Sequence, residues 1–192
     1  MRKMANPLKI LILGNWLMAV CGGFYLAWWL IAFRPPKPRS APVCVLLLTL
    51  AFLAGIAGFY FCARTLTTPP VKMLPGTRNL HITLGGIAAY VALLAVSVLA
   101  FHRMVTSELL IITAWAVLEL CVVNTLYRCE NLARGAAVRL SALILAAALV
   151  SLVCYLLYYR LPYTAGYIDG CIPLVLAIAV ILAVNFSPMG II

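Results

Sequence analysis

Acidic residues are nearly missing from this chain, which has four Asp and Glu among its 192 residues. All charged residues together make up 9% of it, whereas soluble domains carry about a quarter. Hydrophobic residues make up 66%, which is more apolar surface than a core of this size can bury. The shortage of charge therefore excludes a soluble globular domain and indicates that lipid surrounds much of the chain.

Motifs for catalysis and metal binding are missing as well. The sequence has no H-E-x-x-H, no G-x-S-x-G, no phosphate-binding glycine loop and no usefully spaced pair of acids. Its seven cysteines form no C-x-x-C pair, and cysteine in apolar runs behaves as a small hydrophobe. His81 and His102 flank the third apolar run at opposite membrane faces, so they cannot share a metal. We expect no cofactor and no metal site; an intramembrane enzyme built from scattered residues stays open but has no motif in its favour.

Basic residues are abundant by comparison and give a net charge of +10. They are spread through short connections between apolar runs, a distribution typical of orientation signals and of contact with anionic lipid headgroups, not of nucleic-acid binding. With the amino terminus inside, nine Lys and Arg fall on the cytoplasmic side and five on the outer side. This bias predicts a multi-pass protein of the cell membrane with both termini in the cytoplasm.

Six apolar runs are long enough, or nearly so, to cross a bilayer as helices. They cover residues 10–33, 43–62, 82–101, 109–127, 140–159 and 167–186. No connection between them is long enough for a soluble domain, so we predict one all-α membrane domain over residues 1–192, a bundle of six transmembrane helices. In the second run, Ala54 and Gly58 stand four residues apart, a spacing that lets helix backbones approach closely.

Three of the four acids have an ordinary structural interpretation. Glu108 and Asp169 stand near the predicted starts of the fourth and sixth runs, where an acid complements the helix dipole. Glu130 precedes Arg134 by four residues, the favourable order for an ion pair on a helix.

Glu119 has no such interpretation, because it stands in the middle of the fourth run. A charge at this depth costs about 3 kcal/mol on insertion scales, so we expect the carboxyl to be neutral unless a cation or water reaches it. Depth along the predicted spans brings Tyr90 and Asn15 near it, at about 1.5 Å of rise per residue. We therefore predict a buried polar site of Glu119, Tyr90 and Asn15. The open alternative is that the Glu119 carboxyl forms a hydrogen bond whose only role is to hold helices together.

Aromatic residues collect at the outer boundary of the predicted bundle. One interpretation is an interfacial belt of amphipathic rings. The other is an outward-facing pocket with aromatic walls and a few polar anchors. The residues predicted for that pocket are Trp28, Trp29, Tyr159, Tyr163, Tyr167 and Asp169.

Two functions fit these features. The first is a carrier of a small solute or ion, or the substrate-binding membrane subunit of a larger transporter, in which Glu119 binds a proton or cation. The second is a non-catalytic scaffold or accessory subunit, whose small-residue helix faces pack against a membrane-protein partner or a second copy.

Overall fold

A computed structural model of the chain describes residues 6–34, 41–67, 77–101, 107–158 and 160–187. These residues form helices joined by short turns and contain no strand. The helices are α1 (Asn6–Ala32), α2 (Ala41–Thr67), α3 (Thr77–Phe101), α4 (Ser107–Arg128), α5 (Arg134–Tyr158) and α6 (Tyr163–Phe186). Each is long and apolar enough to cross a bilayer. The chain is therefore a multi-span membrane protein, and the predicted six-helix fold is confirmed.

The helices begin earlier than the apolar runs that predict them. α5 begins at Arg134 and α6 at Tyr163, whereas the runs begin at residues 140 and 167. A helix satisfies its backbone bonds internally and continues past the apolar layer, where arginine side chains reach the headgroups. The apolar runs therefore give the membrane-embedded part of each helix but not its ends.

These helix ends correct two assignments made from the sequence. Asp169 lies in the second turn of α6 because that helix begins at Tyr163, and no acid stands in its first turn. Glu130 lies in the turn after α4 with a φ of 58°, so the continuous helix assumed between it and Arg134 is wrong. Glu108 is the second residue of α4, in the first turn as predicted.

Neighbouring helices pack in the order α2, α1, α6, α5, α4, α3. The buried core comes mainly from α1, α4, α5 and α6, while α2 packs on α1 and α3 packs on α4 at the two flanks. None of the α3 side chains that the structure describes is buried. Leu99 of α3 is 75% exposed and Phe52 of α2 is 67% exposed, as expected for helices that face lipid.

The bundle has two chemically different ends. Trp28 and Trp29 lie near the end of α1, and we call this side of the bundle the aromatic end and the opposite side the amino-terminal end. Trp29 Nε1 donates to the carbonyl oxygen of Tyr167, near the start of α6, at 3.1 Å. Asn15 contacts Asn185, near the end of α6. α1 and α6 therefore run antiparallel and pack against each other from the Trp29–Tyr167 contact to the Asn15–Asn185 contact.

α1 and α2 approach most closely where a glycine of each helix faces the other. A Cβ added at Gly58 would lie 2.9 Å from the carbonyl oxygen of Gly14, and a Cβ added at Gly14 would lie 3.0 Å from that of Gly58. The obstacle in both cases is backbone, which cannot move aside as a flexible side chain does. The predicted small-residue face of α2 is thus used against α1.

We expect Gly58→Ala to lower the free energy of unfolding by about 1–3 kcal/mol, the usual range for overpacking a tight contact. Gly23→Ala on α1 is the matched control, because a Cβ there meets nothing within 4 Å and alanine is the better helix former. Unfolding of the two variants in detergent micelles makes the comparison. Equal stability of both variants would contradict a backbone contact at Gly58.

Candidate functional site

The carboxyl group of Glu119 is fully buried in the middle of the bundle, with an exposed fraction of 0%. It lies about 14 Å along α4 from Arg128, by helical rise, so neither membrane surface is close. Asn15 is its hydrogen-bond partner, and the structure gives it no Lys, Arg or His partner among the described residues. The acid that the sequence leaves unexplained is therefore buried with no positively charged partner in the part of the chain that the structure describes.

One asparagine from another helix bonds to this carboxyl group, and a second asparagine bonds to the first. Asn15 Nδ2 of α1 donates to Glu119 Oε2 at 3.3 Å and to Asn185 Oδ1 of α6 at 3.1 Å. Both asparagines are 0% exposed. We call Asn15, Glu119 and Asn185 the polar cluster; it joins α1, α4 and α6 through side chains alone.

The polar cluster is only partly satisfied. Asn15 Oδ1, Glu119 Oε1 and Asn185 Nδ2 are buried and have no hydrogen-bond partner among the described residues. Trp115 Nε1, one helical turn from Glu119 on α4, is also buried and has no hydrogen-bond partner among the described residues. Buried polar atoms in folded proteins are nearly always paired. Four such unpaired atoms, on Asn15, Glu119, Asn185 and Trp115, are therefore an unusual feature of this part of the bundle.

Apolar side chains close the polar cluster on both sides. Toward the amino-terminal end, fully buried side chains of α1 and α4 fill the space, among them Leu11, Val122 and Leu126. Toward the aromatic end lie Ala116 and Val180, also in the core. A species that enters or leaves the cluster must therefore pass through packed side chains, which requires a change in helix packing.

Tyr90 lies about one helical turn away from the polar cluster. The hydroxyl of Thr83 on α3 lies 3.9 Å from Cys121 Sγ on α4, and this antiparallel register puts Tyr90 at about the level of residue 114. This level differs from the predicted one because α3 begins at Thr77, whereas its apolar run begins at residue 82. The structure thus brings Asn15 into bonding distance of Glu119 and leaves Tyr90, which is half-buried, nearer the aromatic end.

Asn124 belongs to a separate polar contact on another face of α4. Its amide donates to Asn79 Oδ1 of α3, and Asn79 Nδ2 donates to Thr125 Oγ1 at 3.1 Å. These bonds hold α3 against α4 near the amino-terminal end. Asn124 therefore serves helix packing and is not part of the polar cluster.

Asn185 is the member of the polar cluster that reasoning from the sequence missed. The sequence does contain an indication of its role, because Asn185 is a polar residue inside the sixth apolar run, in the stretch "LAVNFSP". It stands at the end of α6, whose last residue is Phe186, yet it bonds to the middle of α1. The level at which α6 ends relative to α1 follows from their packing and not from the length of the run.

A cavity of about 270 Å³ opens at the aromatic end. We call it the aromatic cavity. Its walls come from α1, α4, α5 and α6 and contain Trp28, Trp29 and Asp169 of the predicted pocket. The residues that line it are Tyr25, Trp28, Trp29, Phe33, Ile111, Ile112, Ser151, Cys154, Tyr155, Tyr158, Asp169, Gly170, Pro173 and Leu174.

Tyr163 and Tyr167 lie outside the aromatic cavity and beside a second one of about 210 Å³. The Tyr163 hydroxyl donates to the carbonyl oxygen of Phe33 at 3.0 Å, and the Tyr167 hydroxyl donates to that of Leu30 at 3.1 Å. Both therefore anchor the start of α6 to the last turn of α1. Tyr159, predicted for the same pocket, lies outside the described residues.

Asp169 supplies the acidic group of the aromatic cavity. It is 8% exposed, and its Oδ2 has no hydrogen-bond partner among the described residues. Cys154 of α5 is a hydrogen-bond partner of the same carboxyl group. Pro173, four residues later in α6, has no N–H to donate to the backbone carbonyl of Asp169. Asp169 therefore lacks one helical backbone bond and carries an unpaired carboxyl oxygen at the same place.

The aromatic cavity and the polar cluster both involve residues on one face of α4. Ile112 lines the cavity, Trp115 follows one turn later, and Glu119 follows after one more turn, about 10 Å from Ile112 by helical rise. Trp115, with its unpaired Nε1, thus stands along α4 between a residue that lines the cavity and the buried acid.

Comparison of the chain with protein-family models, with curated proteins and with solved structures gave no match.

Proposed function

We propose that the chain is a carrier of a small solute, or the substrate-binding membrane subunit of a larger transporter, driven by a proton or small monovalent cation that binds at Glu119. The observation that carries this proposal is the incomplete pairing of the polar cluster. A carboxyl group that only held helices together would have both oxygens bonded, because a half-satisfied buried network is costly. Glu119 Oε1 instead has no partner among the described residues.

The chemistry of the polar cluster favours a positive ion. Two of the four unpaired atoms, Asn185 Nδ2 and Trp115 Nε1, are donors, and the other two, Glu119 Oε1 and Asn15 Oδ1, are acceptors; the acidic group among the acceptors supports a positive ion. Asn185 stands in the last turn of α6, and the end of a helix carries partial negative charge on its last carbonyl groups. Ends of helices inside the membrane coordinate sodium ions and protons in secondary transporters. A bound cation would satisfy the acceptors and neutralise the carboxylate.

In this mechanism the solute binds in the aromatic cavity and the cation binds at Glu119, about 10 Å deeper along α4. Trp115 lies between them on the same helix face. A ligand shifts a conformational equilibrium only by binding one state better than the other. Neutralising Glu119 removes the cost of a buried charge, which favours the closed packing around the cluster; release of the cation favours opening.

We propose further that the protein resides in the cell membrane with both termini in the cytoplasm, which would turn the aromatic end outward. The excess of Lys and Arg on the amino-terminal side supports this orientation. Exposed arginines at that side, Arg64, Arg128 and Arg134 among them, fit contact with anionic headgroups of the inner leaflet.

A scaffold or accessory subunit is the second candidate, and one feature of α3 favours it. Gly85, Ala88, Ala92 and Ala95 are exposed and spaced three and four residues apart, so they share one helix face. Small residues on a lipid-facing stripe let another helix approach closely. A scaffold of this kind would bind a second copy or a membrane-protein partner through α3 and would need no solute.

Flux measurements separate the two candidates. The purified chain is reconstituted in liposomes that hold a pH-sensitive dye, and a panel of small solutes is added under a proton or sodium gradient. A carrier gives a solute-dependent change of internal pH or of sodium content that protein-free liposomes lack. A scaffold gives no flux with any solute, together with a stable oligomer or complex in detergent.

A further inference from the structure

We infer that the aromatic cavity binds a primary ammonium group attached to a small apolar body. This inference deepens the proposed function, on which it rests, by naming the class of solute. Asp169 provides the first ground for it. Of the described residues that line the cavity, Asp169 alone carries a formal charge, and its buried Oδ2 is unpaired. A buried carboxylate without a partner is unfavourable, and a cation that donates hydrogen bonds to it removes that penalty.

The backbone next to Asp169 also offers an acceptor and not a donor. Pro173 cannot donate the usual helical bond to the carbonyl oxygen of Asp169. The carboxyl group of Asp169, a residue that lines the cavity, and the backbone carbonyl of the same residue are thus both acceptors. An ammonium group has several N–H donors in different directions, so it can bond to both; a quaternary ammonium has none.

The cavity wall contains several aromatic rings, a composition that suits a cation as well. Tyr25 and Trp28 have ring centroids 5.0 Å apart, and Trp29 and Phe33 have centroids 4.4 Å apart. Tyr158 adds an edge contact to Trp29 at 5.9 Å. Aromatic faces attract cations through their quadrupole, most strongly for tryptophan and in a desolvated site. The same rings offer apolar surface for the body of the ligand.

Two of the donors that line the cavity are already engaged. Trp29 Nε1 bonds to the carbonyl oxygen of Tyr167 at 3.1 Å, and the Ser151 hydroxyl bonds to that of Ala147 at 2.8 Å. No Lys, Arg or His is among the described residues that line the cavity. A volume of about 270 Å³ limits the ligand to a small molecule. Charge, acceptors and size together therefore select a small organic ammonium ion.

Ligand-induced thermal stabilisation tests this assignment on the full chain in phosphatidylcholine nanodiscs, because binding to the native state raises its stability. The probes are benzylammonium chloride, benzyl alcohol and sodium benzoate, which share one apolar body and differ in charge. We expect stabilisation by benzylammonium and weaker or no stabilisation by the other two. In Asp169→Asn, binding of benzylammonium should weaken by roughly 10- to 100-fold, the equivalent of one charge-assisted hydrogen bond.

Glu130→Gln is the matched control, because it also removes one carboxylate but lies in the exposed turn after α4; it should bind benzylammonium like the unaltered chain. Addition of phosphatidylethanolamine to the nanodiscs separates two sources of the ammonium group. Competition by this lipid would assign the site to its headgroup, and absence of competition would assign it to a free amine; either result supports an ammonium site.

Equal stabilisation by benzylammonium and benzyl alcohol, or no stabilisation by any probe, would overturn the inference. The comparison among probes uses the unaltered chain, so it holds even if Asp169→Asn folds poorly. If the ammonium inference fails, the proposed carrier function still stands, because coupled flux of other solutes tests that function independently. Loss of all coupled flux, with ammonium binding retained, would instead overturn the carrier and keep the site.

Discussion

Glu119→Gln abolishes the coupling of solute movement to the proton or sodium gradient and leaves the protein folded: this is the largest functional effect that we expect from a single substitution. Glutamine has nearly the same shape as a protonated glutamic acid, and its side-chain oxygen can still accept the bond from Asn15 Nδ2, which is 3.3 Å long in the structure. What it cannot do is gain or lose a proton or neutralise a cation. Gradient-driven flux in proteoliposomes should therefore fall to the level of protein-free liposomes.

The control for this experiment is Glu130→Gln, which removes an acid from the exposed turn at the amino-terminal end and should keep full flux. Solute binding gives a second readout. Stabilisation of Glu119→Gln by the solute should persist, because the aromatic cavity lies about 10 Å from this residue. Full gradient-driven flux through Glu119→Gln would remove the ion-binding role of Glu119 and leave it with a packing role.

Asn15→Leu should cause a large loss of stability, because Asn15 donates both hydrogen bonds that hold the polar cluster together. Interhelical hydrogen bonds in membranes contribute about 0.6 kcal/mol on average, so two average bonds contribute about 1 kcal/mol. The substitution also leaves Glu119 Oε2 and Asn185 Oδ1 buried and unpaired, and each such group costs about 1–3 kcal/mol. We therefore expect a loss of about 1–3 kcal/mol after partial relaxation.

Thr113→Val provides the comparison for Asn15→Leu. The Thr113 hydroxyl bonds to the carbonyl oxygen of Leu109 in its own helix at 2.8 Å, so its removal breaks no contact between helices and should change stability by less than about 0.5 kcal/mol. Unfolding in mixed micelles measures both variants. An Asn15→Leu protein as stable as Thr113→Val would show that the polar cluster contributes nothing to the association of α1, α4 and α6.

The six helices were predictable from the sequence because backbone groups in lipid must be bonded within each segment. Long apolar runs therefore have one structural solution. The ends of the helices were not predictable in the same way. α5 begins at Arg134 and not at residue 140, since polar residues at the headgroup level extend a helix without interrupting it. The same shift at α3 moved Tyr90 away from the level of Glu119.

The acid of the polar cluster, Glu119, was predictable from the sequence, but the full set of its partners was not. Glu119 stands out because burial of a charge in an apolar run is costly. Asn15 followed from its depth along α1. Asn185 required knowledge that α6 packs on α1 and ends near the middle of that helix, which is a property of tertiary packing. The distinction between Asp169 as a lining group and Tyr163 as an anchor depends on the same packing.

The proposed carrier function depends on whether Glu119 gains and loses a proton. Infrared difference spectroscopy of the reconstituted protein, between acidic and alkaline buffer and with or without sodium, measures it at the carboxyl stretch. The chain has four acidic residues, so few carboxyl bands overlap. We predict a protonated-carboxyl band that is lost at alkaline pH or on addition of sodium, that persists in Glu130→Gln and that is missing from Glu119→Gln. Identical difference spectra for the unaltered chain and Glu119→Gln would contradict the account, because Glu119 would then never change its protonation.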